Sequence, residues 1–582
     1  MEITYKKINN TLLFKDFEND SLLQMSNCQN YVPLYNKFFS LNSNNYNSIN
    51  LNNHNTLSSI TKKITENIYE GTVKNDKEEL INKNVFFKFS PLLDPFKYMA
   101  GKYNINDENL LNLPKFNITS SHKKIYDENN SAYVDSFFTY LTSQLLNKNN
   151  FIHGIDFYGS YLGHKNNYHV DIGDDIDMLC NNNFFHKNIN TLFSFLNSEH
   201  EEILGDDSRS NKKRLHISND NDDVDINVLN LEDITSLDIT SLDSVSTNHP
   251  DINNNQDTNI KSEIIYEDNN MDTNSLSSSS EVSSRSSNTE NSDSDNSEDT
   301  SEDTSEGSSS LDEETIMMVM KKFPVQVIAL EKCENTLDDL FVNDKLNEEE
   351  LSSAIIQILM MLITYQRVFN LTHNDLHTNN IMYVETDKKF LYYKVDNRHY
   401  KVKTYGKIYK IIDYGRAIYS YKNQLICSDS FHKEGDAATQ YNFKPYYNEK
   451  KTTVEPNFSF DLCRLGCAIY DFITEKYDDI VDIKWSIHKI IMNWCQDDDN
   501  RNILYKNNDE ERYPDFKLYK MIARKVNNHV PINELKNKYF EKYIVSKKEI
   551  KKGANIMNLD TIKTDSIKQI ILNQNLIIDD CD

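Results

Sequence analysis

Two short polar stretches, each set against an apolar run, constrain this chain more than anything else in it. The first is Thr372-His373-Asn374-Asp375-Leu376-His377-Thr378-Asn379-Asn380; the second, Asp413-Tyr414-Gly415, begins 38 residues after Asp375. An aspartate, an asparagine five positions on and a second aspartate near a glycine are what phosphoryl transfer from a nucleoside triphosphate needs. The first can take the proton of an attacking hydroxyl, and the other two offer hard oxygens to a magnesium ion bridging the phosphates. Either stretch alone arises by chance in a sequence rich in Asp and Asn. Their order, and the strand-like run beside each, give the pair its meaning.

The surrounding pattern supplies a scaffold. Asn347 with Glu350 forms a capping box, and Leu351, Ile355, Ile358, Leu359 and Leu362 predict a helix running to about Asn370, straight into His373. Runs at 381–383, 390–395, 400–405 and 407–412 read as strands, including an extra hairpin before Asp413. Nearer the N-terminus, 60–74 predicts strand, turn, strand, and Val85-Phe86-Phe87-Lys88-Phe89 sets a lysine in a β-prone apolar run. Such a lysine is costly to bury unless it meets an anion. Tyr133, Phe137, Tyr140 and Leu141 predict a helix over 132–146, with Asp135 inside it and Glu128 just before it. Further strands are predicted at 155–161 and 324–330.

With these motifs in place, the chain resembles the divergent serine/threonine protein kinases encoded by large cytoplasmic DNA viruses, a resemblance its Asn, Ile and Lys bias supports. The resemblance implies an α+β, two-lobed protein-kinase-like fold: a small antiparallel β lobe and a large, mainly helical lobe, with a long acidic disordered insertion in the small lobe. Implied boundaries are an Asn-rich extension at 1–57, loosely ordered or docked through its aromatics; the first part of the small lobe at 58–165; an insertion at 166–320; the last small-lobe strand and hinge at 321–334; the large lobe at 335–545; and a tail at 546–582.

The resemblance also implies ATP and Mg²⁺ as cofactors, with Asp375 as the base and Asn380 and Asp413 as metal ligands. Lys88 would hold the α and β phosphates and pair with a helix carboxylate, for which Asp135 is the nearest candidate. The backbone from Glu331 to Cys333 would bind adenine, with Leu330 at the back of the pocket. Asp461, in Phe460-Asp461-Leu462-Cys463-Arg464-Leu465-Gly466, would anchor the catalytic-loop backbone, and the activation segment would run from Asp413 to Glu449. The glycine loop departs from Gly-x-Gly-x-x-Gly-x-Val: the matching positions are Glu66, Ile68, Gly71 and Val73. Val73 stands 15 positions before Lys88, the kinase distance, so Gly71 and Val73 join the nucleotide-binding set.

Two further departures bear on regulation and substrate. Asn374 replaces the arginine that reads a phosphorylated activation segment, so activity is expected not to depend on that phosphate. His377 replaces a lysine, so stabilising the γ-phosphate falls to another cation. The acceptor implied is a Ser or Thr hydroxyl of a protein. Asp-Leu-His also occurs in aminoglycoside phosphotransferases and His-Asn-Asp in choline kinases, which keeps a small-molecule kinase as an alternative. The eroded glycine loop keeps a pseudokinase binding module as another.

Composition excludes some partners. The 582 residues carry a formal charge of -27, against a general nucleic-acid binder. Much of it lies in 217–315, where 26 acidic residues face only Lys261 and Arg285. That tract, with the serine run from 275 to 310, is expected to be disordered and available to an unidentified partner. Eight cysteines without a Cys-x-x-Cys pair suggest reduced thiols in a cytosol-like compartment, the host cytoplasm or a virion if the source is viral. Cys463 and Cys467 read as an apolar helix face rather than a metal site, and Asp174, Asp175 and Asp177 as a solvated turn. The longest apolar run, 354–363, is too short for a membrane span, so a soluble protein is expected.

Overall fold

Alternation of apolar side chains builds the first layer of the molecule. The computed structural model describes residues 3–118, 120–200, 315–474, 485–508 and 510–562. Strands β1 (Met25–Gln29), β2 (Thr56–Lys63), β3 (Ile68–Lys74), β4 (Leu80–Pro91), β5 (Phe157–Asp171), β6 (Phe193–Phe195) and β7 (Met317–Glu331) form one antiparallel sheet in the order β1-β5-β7-β4-β3-β2. The short β6 lies beside the start of β7, with Phe193 opposite Met320.

Strand register fixes which side chains share a face. Tyr69 is opposite Val85 and Leu57 opposite Val73, and these residues are buried on one side of the sheet together with Phe87. Helix α1 (Thr11–Phe17) covers that side, with the Phe17 ring edge-on to Phe87 and to Tyr161. The other side carries Ile68 opposite Phe86, Leu330 opposite Phe86, and Ile328 opposite Lys88.

Helix α2 (Ser131–Asn149) joins the sheet to the rest of the chain. Asn130 caps its first turn by accepting the Ala132 N–H, and Asn150 ends it in the left-handed region. Every residue from Ala132 to Leu145 is buried, polar ones included, because the helix is packed on all sides. Phe138 meets Tyr365, Phe369, Tyr414 and Tyr419, while Phe137 stacks on Phe38 at 4.8 Å. Aromatic pairs of this kind contribute about 0.5–1.5 kcal/mol each beyond burial.

Helix α3 (Glu348–Phe369) begins at the capping box of Asn347 and Glu350 and ends at Asn370, again left-handed. It is the one helix among the described residues long and apolar enough to cross a bilayer, and 94% of that apolar window is buried inside the fold, so it serves here as a core helix. Helices α4 (Phe460–Ile473) and α5 (Lys517–Lys525) share a second apolar cluster with Phe431, Tyr441 and Cys495. Cys463 and Cys467 are buried in that cluster.

Four boundaries differ from the sequence reading. Residues 3–57 are not a loose extension: Leu13, Phe17, Tyr31 and Tyr35 are buried, and the asparagines that make the segment look simple bond one another, Asn10 Nδ2 donating to Asn30 Oδ1 at 2.5 Å and Asn50 Oδ1 at 2.8 Å. The strands flanking the insertion are longer than expected and pair as far as Asp171 with Met317. Of the strands before Asp413, 390–395 pairs with 398–403, whereas Lys407–Ile411 joins Ile381–Glu385. The tail at 546–562 is built in, since Ile556–Asn558 adds a parallel strand beside Phe390–Val395 and Asp560 meets Arg367. The acidic tract over 217–314 lies outside the described residues.

Candidate active site

Lys88 organises the site. Its ammonium lies 2.9 Å from Asp135 Oδ2 on α2 and 2.9 Å from Asp413 Oδ1. Asp135 also accepts the Tyr414 backbone N–H at Oδ1, 2.8 Å away, so one carboxylate ties the helix to both the lysine and the segment at 413. Glu128 instead faces Lys37. Burial pushes the Asp135 carboxyl up; Lys88 opposes this and the Asp413 charge adds to it. Burial also works against the Lys88 charge, yet the two carboxylates hold the ammonium protonated, above its ordinary value.

The loop at 372–380 is held by groups distant in sequence. Asp461 on α4 is fully buried and accepts the backbone N–H groups of His373 and Asn374, each at 2.9 Å, one per carboxylate oxygen. Asn374 sits at φ 68° and Asp413 at φ 62°, left-handed conformations that Asn and Asp tolerate better than most residues. Asn374 donates to the carbonyls of Thr372 and Arg416 and accepts from the Tyr441 hydroxyl at 2.6 Å. His373 meets the Ile412 carbonyl at 2.9 Å, and the Ile412 N–H donates to Asn380 O at 3.0 Å. Both backbone groups of the residue before Asp413 are therefore committed to the loop that carries Asp375.

The Asn380 amide nitrogen contacts Asp375 O at 2.9 Å and His377 Nε2 at 3.0 Å. Burial pulls His377 down to about 4, so at neutral pH it is uncharged and accepts at Nε2. With both amide hydrogens used, the Asn380 carbonyl oxygen is the face left for a cation. Asp413 and Asn380 each carry an oxygen of the hard kind that a magnesium ion takes. Among the described residues no group of three or more His, Cys, Asp or Glu side chains is arranged around a metal position, the acidic turn near Asp177 included.

Asp375 accepts the Tyr519 hydroxyl from α5 at Oδ1, 3.0 Å away, and Arg416 Nη1 stands 3.5 Å from the same oxygen. Burial raises its carboxyl, but Arg416, His377, Arg464 and His373 together outweigh that and hold it below the usual carboxylate range. Arg416 is clamped in turn by Asp436, through Nε at 2.9 Å and Nη2 at 2.8 Å.

Not every expected residue is brought here. Gly71 and Val73 lie on the opposite side of the sheet from Lys88, Val73 wholly buried and Gly71 so crowded that a Cβ would come within 3.1 Å of Ser59 O. The turn between β2 and β3 is level with Phe87, whose N–H donates to Asn67 O, so counting back 15 positions from Lys88 stops short of it, inside β3. Ile68 and Phe86 occupy the lysine's side instead. At the end of β7 the Glu331 N–H is used by Asp156 O, 2.9 Å away, and its side chain bonds Lys410, a buried lysine that also meets Gly154 O. Cys333 follows Glu331 at this edge, half-buried, and Leu330 lies on the Lys88 side. Glu449 is exposed, and Arg524 holds the 413–449 segment by donating to the carbonyls of Thr439 and Gln440. The sequence reading missed Arg416, Arg464 and Tyr519. Arg416 was adjacent to the Asp-Tyr-Gly motif, while no local pattern marked Tyr519.

Compared with protein-family models the chain matches none, and no curated protein matches it.

Proposed function

We propose that this chain is an ATP- and Mg²⁺-dependent kinase acting on Ser or Thr hydroxyls of proteins, with a two-lobed, protein-kinase-like arrangement of the type large cytoplasmic DNA viruses encode. The observation that carries the reading is the shared lysine: Lys88 bridges Asp135 and Asp413, while the residue before Asp413 is bonded to the loop bearing Asp375 and Asn380. A strand lysine, a helix carboxylate and a metal-type aspartate have little reason to converge unless phosphates are handled there.

In this reading Lys88 would hold the α and β phosphates, and Ile68, Phe86 and Leu330, on the same side of the sheet, would supply apolar surface for the adenine. Asn380 and Asp413 would hold Mg²⁺, which neutralises phosphate charge when bound. Asp375, kept ionised by its cationic surroundings, orients the acceptor hydroxyl and takes its proton. Asp461 fixes the loop so that these groups keep their spacing. The segment at 413–449 is held by Asp436 on Arg416 and by Tyr441 on Asn374, neither contact requiring a phosphate, which supports activity independent of segment phosphorylation.

The test is label transfer from ATP to generic acceptor proteins, with mapping of the modified residue, alongside thermal shift with ATP and Mg²⁺. Wild type should be stabilised by the nucleotide and label Ser or Thr, and Asp413→Ala should do neither. Stabilisation without transfer to any protein or small alcohol would leave a nucleotide-binding module in place of an enzyme.

A further inference from the structure

The loop at 372–380 lacks the lysine that such a site would use beside its base, since His377 stands at that position. Another set of groups surrounds Asp375. Arg464, on α4 three residues after Asp461, donates from Nε to the Tyr519 oxygen at 2.9 Å, and Tyr519 donates to Asp375 Oδ1 at 3.0 Å. The Arg464 guanidinium also lies over the Tyr519 ring, 5.1 Å from its centre. Arg416 approaches the same Oδ1. Among the described residues, Asp375 Oδ2 has no hydrogen-bond partner.

We infer that Tyr519, held by Arg464, is a positioning residue for Asp375: it pins one carboxylate oxygen so that the other faces the acceptor hydroxyl. The inference rests on the kinase reading and extends it to α5, a helix 144 residues away in sequence from the base it serves. Convergence on a single oxygen distinguishes positioning from obstruction, because a blocking phenol would occupy the oxygen that receives the substrate. A hydrogen bond accepted from an arginine-bound phenol also favours the ionised carboxylate. Arg464, held on Tyr519 from α4, also brings a positive charge to bear on Asp375 without occupying the loop.

Tyr519→Phe is the informative variant, since the ring keeps its stacking on Phe516 and its place beside Phe460. Steady-state kinetics of the full chain should show kcat falling about tenfold to a hundredfold, the scale of one hydrogen bond to a charged group, with KM for MgATP unchanged. Melting temperatures of wild type, Tyr519→Phe, Asp375→Asn and the double variant form a cycle that needs no turnover, and they should be non-additive. An active wild type whose kcat survives Tyr519→Phe overturns the positioning role and leaves the kinase reading standing; so does an additive cycle. A wild type that transfers no phosphate overturns the kinase reading and this role with it.

Discussion

The two charged clusters, around Lys88 and around Asp375, are built on opposite plans. Around Lys88 one cation is shared between two carboxylates; around Asp375 one carboxylate is shared between a phenol and nearby guanidinium groups. The first cluster carries an excess of negative charge in a buried place, and burial together with Asp413 pushes Asp135 up. In the second two guanidinium groups, Arg416 and Arg464, oppose the effect of burial and hold Asp375 down, with Arg416 shared with Asp436. Under the proposed function, Mg²⁺ and phosphates would meet the first cluster and a neutral hydroxyl the second. The contrast also teaches that the lysine cluster is where folding and function are most tightly linked, because removing its one cation leaves two carboxylates facing each other.

The largest effect should come from Lys88→Met. Chemical denaturation should show a loss of about 3–5 kcal/mol, the cost of stranding buried charge, together with loss of transfer. Asp375→Asn should cost about 10²- to 10⁴-fold in kcat with a much smaller change in stability, because Tyr519 can still donate to the amide oxygen. Equal stability losses in the two variants would break the comparison.

Next in size is Asp461→Asn, which replaces an acceptor by an N–H donor facing a backbone N–H. Unfolding should show a loss of about 1–3 kcal/mol, since one buried amide is left unsatisfied. Because Asp461 serves the Asp375 loop and does not touch Lys88, nucleotide-induced thermal shift should survive while transfer falls. Loss of both would mean that the clusters do not behave separately.

The smallest effect is a pH dependence of stability to which His377, beside Asp375, contributes. His377 is pulled down to about 4 when folded, below the ordinary value of about 6.5. The unfolded chain therefore binds the proton that the folded chain refuses, so stability falls as pH drops from about 6.5 toward about 4. His153, buried against Tyr393 and Tyr409 and also held at about 4, adds a term of the same sign. His377→Gln should flatten part of the slope in melting temperature against pH. Lys88 acts at the other end: its raised value gives stability present below the ordinary lysine range and lost as pH rises through the folded one.

Much of the helical part was legible. The capping box at Asn347 and the stripe running into His373 depend on spacing within one element, and the structure has both; the Asp461 anchor, which the resemblance implied, joins α4 to a loop 88 residues away. The strand carrying Lys88 was legible too, as was Asp135 as the nearest carboxylate. Gly71 and Val73 misled because their register was counted along the chain, whereas pairing across β3 and β4 decides which face a side chain takes. For the N-terminal segment the sequence left loose order and docking through its aromatics both open, because repeated asparagine reads as low complexity; the aromatics are docked, and buried amides satisfying one another make an ordered network.

By itself the sequence determined which groups this chain has for the proposed chemistry and which elements carry them, because helical and strand periodicity and capping act over a few residues. Tertiary structure alone decided that Tyr519 and Arg464 reach Asp375, that Ile68 rather than Val73 shares a face with Lys88, and that Asp135 bridges to Tyr414. Those contacts join residues far apart in the chain. Their position follows from how whole elements pack, and no local pattern encodes that.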